Sequence, residues 1–200
     1  MFKRSDDVLI AQALSGKKSA WLALVQRYEK SIFNYALRMV NNHADAMDLM
    51  QDIFVALFRN LHTFRAESPF KGWLFKIAHY RCIEFYRKKR PMQSLDDVPE
   101  QLDEHSNDCP ERMLVEQQQS SELLQAMQRL PIKQKLVVEL KFFQQCTFDD
   151  IAQQLGISTN TAKSQLYSAL DKLKLFLPAN LLEKTAMQVS SDNSSEVNHV

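Results

Sequence analysis

Residues 148–170, FDDIAQQLGISTNTAKSQLYSAL, decide the fold. Thr147, just ahead of the stretch, has Asp150 three residues on, the spacing of a capping box, which predicts a short helix from Phe148 to Leu155. Gly156 follows where a helix needs a left-handed C-terminal residue, and Ser158 stands ready to cap the next helix. That second helix would turn Ala162, Leu166, Leu170 and Leu173 inward. A short helix, a glycine-containing turn and a capped helix form the pattern of a helix-turn-helix.

Upstream, Leu130-Pro131 opens a helix carrying Leu136, Val137, Leu140 and Phe143. Helical spacing continues through the N-terminal half. Trp21, Leu24, Val25, Tyr28, Ile32, Tyr35, Ala36 and Met39 keep an i, i+3/i+4 rhythm, and so do Leu49, Met50, Ile53, Phe54, Leu57, Phe58 and Leu61. Ser68-Pro69 reads as an N-cap followed by proline at the first helical position, starting a helix that runs to about Arg90 and stops at Pro91. The expectation is an all-α chain.

Composition agrees. The 200 residues include 3 glycines and 6 prolines, where ordinary usage would give about fourteen glycines. So few glycines exclude phosphate loops of the Rossmann and P-loop types and disfavour hairpin-rich β folds. No apolar run reaches the length of a membrane span, and MFKRSDDVLI lacks the apolar core of a signal peptide, so a cytoplasmic protein is expected. Cys82, Cys109 and Cys146 form no CxxC pair and read as reduced thiols. His43, His62, His79, His105 and His199 have no metal-ligand spacing, and no nucleophile motif occurs, so neither a metal, a cofactor nor an enzymatic reaction is expected.

The net charge of +1 conceals blocks. Residues 1–95 carry 16 Lys and Arg against 8 Asp and Glu, residues 96–128 carry 1 against 9, and residues 129–184 carry 8 against 5. Two basic modules flanking an acidic segment suit a polyanion met at both ends. Pro91 to Glu111, with three prolines and a single sign of charge, reads as a linker, and the polar end of the chain as a disordered tail. The domains are expected at 1–92 and 113–180, joined by an acidic linker at 93–112, with the tail at 181–200.

Three constellations bear on function. Ser158, Thr159, Asn160, Thr161, Lys163, Ser164, Gln165, Tyr167 and Ser168 are small or polar residues at the start of a helix, as entry into the major groove requires. An ordinary antiparallel helix pair with a solvated face would look similar. Trp73, Lys76, Tyr80 and Arg87 share one face of the helix from Pro69, which ends in Arg87-Lys88-Lys89-Arg90. Cations interleaved with aromatics suit unstacked bases and their backbone, though Trp73 could equally be core and the bases a complement to the helix dipole. Asp45, Asp48 and Asp52 align on the second long helix beside Gln51, either to dock a basic partner or, with Asn42 as cap, to favour the helix N-terminus.

Together these residues resemble a known family. DAMDLMQDIFVALFRNLHTFRAESPFKGWLFKIAHYRCIEFYRKKR is similar to region two of bacterial sigma factors, and LPIKQKLVVELKFFQQCTFDDIAQQLGISTNTAKSQLYSALDKLK to region four. Their order and the missing other regions point to the small extracytoplasmic-function group. The resemblance implies a factor that joins core RNA polymerase, directs it to promoters and helps open the DNA. It implies that Asp45, Asp48, Leu49, Gln51, Asp52 and Phe54 bind the polymerase clamp. Phe64, Arg65, Lys71, Trp73, Lys76, Tyr80, Arg81, Arg87 and Lys88 would melt and hold the minus-ten strand, and the nine polar residues from Ser158 would read the minus-thirty-five duplex. An anti-sigma factor is a further expected partner, which could hold the protein at the inner membrane. Departures from the family are Tyr80 in place of a usual asparagine, Gln165 in place of a frequent arginine, and Asp171 where a base is common. The cations lost at Gln165 and Asp171 should weaken phosphate anchoring by region four, so promoter choice should lean on region two. The rivals are a conventional helix-turn-helix regulator independent of polymerase, and an interaction protein that never touches DNA. Gly72, in the first turn of the melting helix, is expected to admit DNA or a neighbouring aromatic side chain.

Overall fold

The computed structural model describes residues 4–89 and 122–177, which are helical with no strand among them. The acidic linker and the tail lie outside the described residues, as does Cys109.

In the N-terminal unit, α1 (Asp6–Leu14) starts at Ser5, whose side chain caps it, with Asp6 and Asp7 complementing its N-terminal dipole. Gly16, at φ 86°, turns the chain into α2 (Lys18–Val40). That helix buries Ala20, Leu24, Tyr28, Ile32, Tyr35, Ala36 and Met39 along one stripe and ends on Asn41 at φ 50°. Asn42 Oδ1 accepts from Asp45 N at 3.0 Å and starts α3 (His43–Asn60). A short 3₁₀ turn, Leu61–Thr63, leads through a loop into α4 (Phe70–Lys89). Helix α4 begins one residue later than the sequence suggests: Pro69 occupies the cap position, its carbonyl accepting from Trp73 N at 3.3 Å, and Ser68 stands outside. These helices share one core, in which Leu24, Ile32, Met39, Leu49, Ile53, Leu57 and Leu74 are sealed from solvent. Arg27 and Tyr28 both hydrogen-bond the Asp6 carboxylate, tying α1 to α2.

In the C-terminal unit, residues 122–128 form α5, followed by α6 (Ile132–Val138). The chain then widens into a π-helical turn, Glu139–Phe143, whose Gln144 N reaches Glu139 O at 3.1 Å. Helix α7 (Phe148–Leu155) carries the expected capping box between Thr147 and Asp150, and Gly156 at φ 67° ends it. Helix α8 (Thr159–Phe176) is capped by Ser158 Oγ, which accepts from Thr161 N at 3.0 Å. Its inward residues are Ala162, Leu166, Ala169 and Leu173, with Leu170 half-buried. A second core gathers Met127, Leu130, Val137, Leu140, Ile151 and Leu166.

The two units touch along α6. Ile132 and Leu136 leave the second core and pack into the first. Between them, one turn apart, project Lys135 and Glu139, both sealed from water. Glu139 receives two bonds of 2.6 Å from the Arg38 guanidinium, and Lys135 Nζ donates to Met39 O at 3.1 Å and Tyr86 Oη at 2.9 Å. Gln128 accepts from Lys135 at 2.7 Å and donates to Arg38 O at 2.9 Å.

Candidate nucleic-acid interface

The capped turn between α7 and α8 aims the start of α8 outward. Thr159 Oγ1 donates to Asp149 Oδ1 at 2.9 Å, fixing the two helices at their junction. Asn160, Thr161, Ser164, Tyr167 and Ser168 are exposed and recur at helical spacing, so they present one polar strip. Lys163 is half-buried, its ammonium 5.4 Å from the Phe148 ring centroid. Gln134 of α6 donates to Ser168 Oγ at 3.0 Å. Gln165 departs from the expectation: it is half-buried and its Oε1 is enclosed by protein, which turns it off the polar strip.

The face of α4 has two characters. Lys71, Lys76, Tyr80, Arg87 and Lys88 are exposed, and Arg81 is half-buried with its guanidinium 6.0 Å from the Tyr80 ring. Trp73 is half-buried, in a cluster with Phe64 at 5.3 Å and Phe70 at 5.9 Å between ring centroids. Trp73 and Phe64 are thus partly core and partly surface, the two readings the sequence left open. Arg65 is exposed in the same loop, next to Ala66, whose φ of 56° is left-handed for a residue with a side chain.

On α3, Asp48, Gln51 and Asp52 are exposed and line a groove with Phe85, Lys88 and Lys89 of α4. Asp45 is half-buried, capped into the helix start and paired with Lys89. Leu49 is fully buried and lies beneath this face, within the core. Phe54 is half-buried against that core. Phe58, which the helical rhythm placed inward, is 66% exposed and meets Trp21 edge-on at 5.1 Å. With Leu57 already filling the inward position, its neighbour is rotated about 100° away. Exposed Val55 and Phe58 therefore extend the acidic strip with an apolar one.

Sequence reading missed the residues where the units meet. Its available signal was the pair Lys135 and Glu139, opposite charges one turn apart on a helix otherwise apolar on that side. The contact continues to His79, whose Nδ1 lies 3.0 Å from Tyr35 Oη; burial lowers its pKa from 6.5 to about 3, with Gln154 of α7 opposing the shift. Burial likewise pushes the Cys82 thiol up to about 12, which leaves it protonated and unreactive. The half-buried Cys146 thiol is also raised by burial. Among the described residues no group of His, Cys, Asp and Glu could hold a metal ion, and no helix is long and apolar enough to cross a membrane.

A four-helix unit with a basic helical edge, followed by a helix-turn-helix unit, defines a class of bipartite DNA-binding proteins. Residues 24–91 match the family description Sigma-70 region 2, and residues 120–173 match Sigma-70, region 4. RNA polymerase sigma factor YlaC of Bacillus subtilis is 32% identical over 152 residues, 76% of this chain and 88% of that protein. ECF RNA polymerase sigma factor SigW of the same organism is 28% identical over 173 residues, covering 82% and 92%. The chain belongs to the sigma-70 family, in its extracytoplasmic-function group. Among solved structures, CnrH in complex with the cytosolic domain of CnrY has the same fold, with a TM-score of 0.61 and 23% identity over 85% of this chain and 95% of that one. The sigma factor RpoE in complex with the anti-sigma factor NepR from Bartonella quintana gives 0.58 and 21%, over 80% and 94%.

Proposed function

We infer that the protein is a sigma factor that joins core RNA polymerase, directs it to promoters carrying two elements and promotes opening of the DNA. The observation that carries this reading is the pairing of both sigma-70 regions, in order, on one chain of this length. In this role the factor starts transcription, while polymerase performs the chemistry.

The acidic strip of Asp48, Gln51 and Asp52, with Asp45 at its head and Phe54 beneath, takes the polymerase clamp. Lys71, Lys76, Tyr80, Arg81, Arg87 and Lys88, with the Phe64–Trp73 cluster and Arg65, receive the minus-ten strand: cations hold the phosphates and rings hold unstacked bases. Asn160, Thr161, Ser164, Tyr167 and Ser168 read the minus-thirty-five duplex, with Lys163 on the backbone. Gln165 and Asp171 add no cation to this helix, so promoter choice leans on the N-terminal unit. An anti-sigma factor of the kind that NepR represents is the natural antagonist, and the cytoplasm, where polymerase works, the site of action.

Co-purification with core polymerase followed by run-off transcription tests this. Wild type is expected to associate and initiate; Asp48→Lys with Asp52→Lys should reduce association about tenfold or more, since like charges then oppose the partner. A wild-type chain that binds duplex DNA tightly alone and ignores polymerase would establish the conventional regulator instead.

A further inference from the structure

Gln134 of α6 is half-buried beside the polar strip of α8. Its Nε2 donates to Ser168 Oγ at 3.0 Å, and among the described residues that is the one hydrogen bond the Ser168 hydroxyl makes. Its Oε1 is enclosed by protein and has no partner. An enclosed acceptor left unmade lowers stability, and a residue of the same length without polar atoms would avoid that loss. Packing between α6 and α8 therefore does not account for an amide at this place; the bond to Ser168 does. A serine hydroxyl carries one hydrogen and two lone pairs. With a lone pair taken by the amide N–H, the hydroxyl is left to give its own hydrogen outward, and Ser168 is exposed.

We propose that Gln134 is a positioning residue for duplex binding: it fixes the Ser168 hydroxyl as a donor, and the acceptor this donor is set for is a phosphate oxygen of the DNA backbone. The inference rests on the function proposed above and deepens it. Asn160, Ser164, Ser168 and Lys172 follow one another at intervals of four and share one row along α8. Ser168 stands two such intervals beyond Asn160, about 12 Å along the axis at about 1.5 Å per residue. The major groove is about 8.5 Å deep. A helix that meets base edges with its first turn thus carries Ser168 at the rim, where the backbone runs. Lys172, half-buried one turn further on, brings a cation to the same rim, while the Asp171 carboxylate is taken by Lys174 at 3.1 Å. A hydroxyl that turned its lone pairs outward would repel phosphate oxygens; one that donates holds them in a charge-assisted bond.

A double-mutant cycle tests this on the full chain assembled with core polymerase, with binding measured on a duplex that the wild-type holoenzyme selects from a random pool. Ser168→Ala should weaken binding about tenfold, as loss of a hydrogen bond to a charged group does. Gln134→Met, of similar volume, should weaken it about threefold or more in the wild-type background and leave it unchanged in Ser168→Ala, with no fall in the urea midpoint. Gln134→Glu can only accept, so it draws the Ser168 hydrogen inward and should lose at least as much as Ser168→Ala. The losses in Ser168→Ala and Gln134→Met should be even across sequences, because a phosphate carries no base identity. Their dependence on potassium chloride should match that of wild type, because no cation is removed. Should circular dichroism show that Gln134→Met loses helix, Gln134→Glu carries the cycle, losing less in Ser168→Ala than in the wild-type background. The proposal is overturned by equal losses for Gln134→Met in both backgrounds, by wild-type binding in Gln134→Glu, or by a changed preference at a single base pair. A wild-type chain that does not associate with core polymerase would instead remove the proposed function; the same cycle on the full chain with mixed-sequence duplex DNA then still reads Gln134.

Discussion

Gly72 stands in the first turn of α4, and a Cβ built there would meet nothing within 4 Å. No aromatic side chain beyond its chain neighbours stands against that position, which weakens one of the two reasons the sequence offered for a glycine there. Approach of DNA is the other. Gly72→Ala should therefore stabilise the protein by about 1 kcal/mol in urea unfolding, yet slow promoter opening; unchanged opening would mean that DNA does not need the space. His79 supplies a second prediction. Its ring is sealed between Tyr35 of α2 and the α7 side chain Gln154, with the Cys82 thiol, itself kept protonated, on the same helix. The folded protein binds the ring's proton only near pH 3, whereas the unfolded chain binds it near 6.5. Stability from this group is complete above 6.5 and falls with pH below it, by about 1.4 kcal/mol per unit. Urea midpoints at pH 7, 6 and 5 should show the slope, and His79→Gln should flatten it.

In the proposed role helix α8 divides its work between reading and anchoring. Asn160→Ala should alter which base is preferred at one position, by about 1–3 kcal/mol. Lys163→Ala should weaken duplex binding evenly across sequences. Selection of bound fragments with each holoenzyme variant separates the two outcomes. The ends of the helices were legible in advance because capping is local: Asn42, Thr147 with Asp150, Gly156 and Ser158 each act on backbone within a few residues. What lies along a helix was less legible. Leu49 is buried as its place in the rhythm implied, whereas Phe58 from the same rhythm is exposed and Gln165 of the polar strip is half-buried, since a shift of one position moves a side chain about 100° around the axis and only the packing partner decides which side is covered. The π turn at Glu139 has no local signature of that kind; it widens the helix where its first residue meets Arg38.

At the scale of the whole molecule, two cores share one helix. The charge blocks suggested two independent modules on a tether, and nothing in periodicity distinguishes an α6 that serves its own core alone from one that lends Ile132 and Leu136 to another. Contacts between residues a hundred positions apart, such as Arg38 with Glu139, leave no trace in local pattern. Burial of that pair has a consequence for ionic strength. Ions in solution screen charges they can surround, and Glu139 is enclosed on every side. In the proposed role the exposed Lys71, Lys76, Arg87 and Lys88 instead act through phosphates, whose attraction falls steeply as counterions accumulate. Raising potassium chloride from about 50 to 200 mM should therefore leave the scattering profile of the free chain unchanged while weakening its hold on DNA by orders of magnitude. Dilute and concentrated solutions would then differ in how often the factor finds a promoter, and hardly at all in the shape in which it waits.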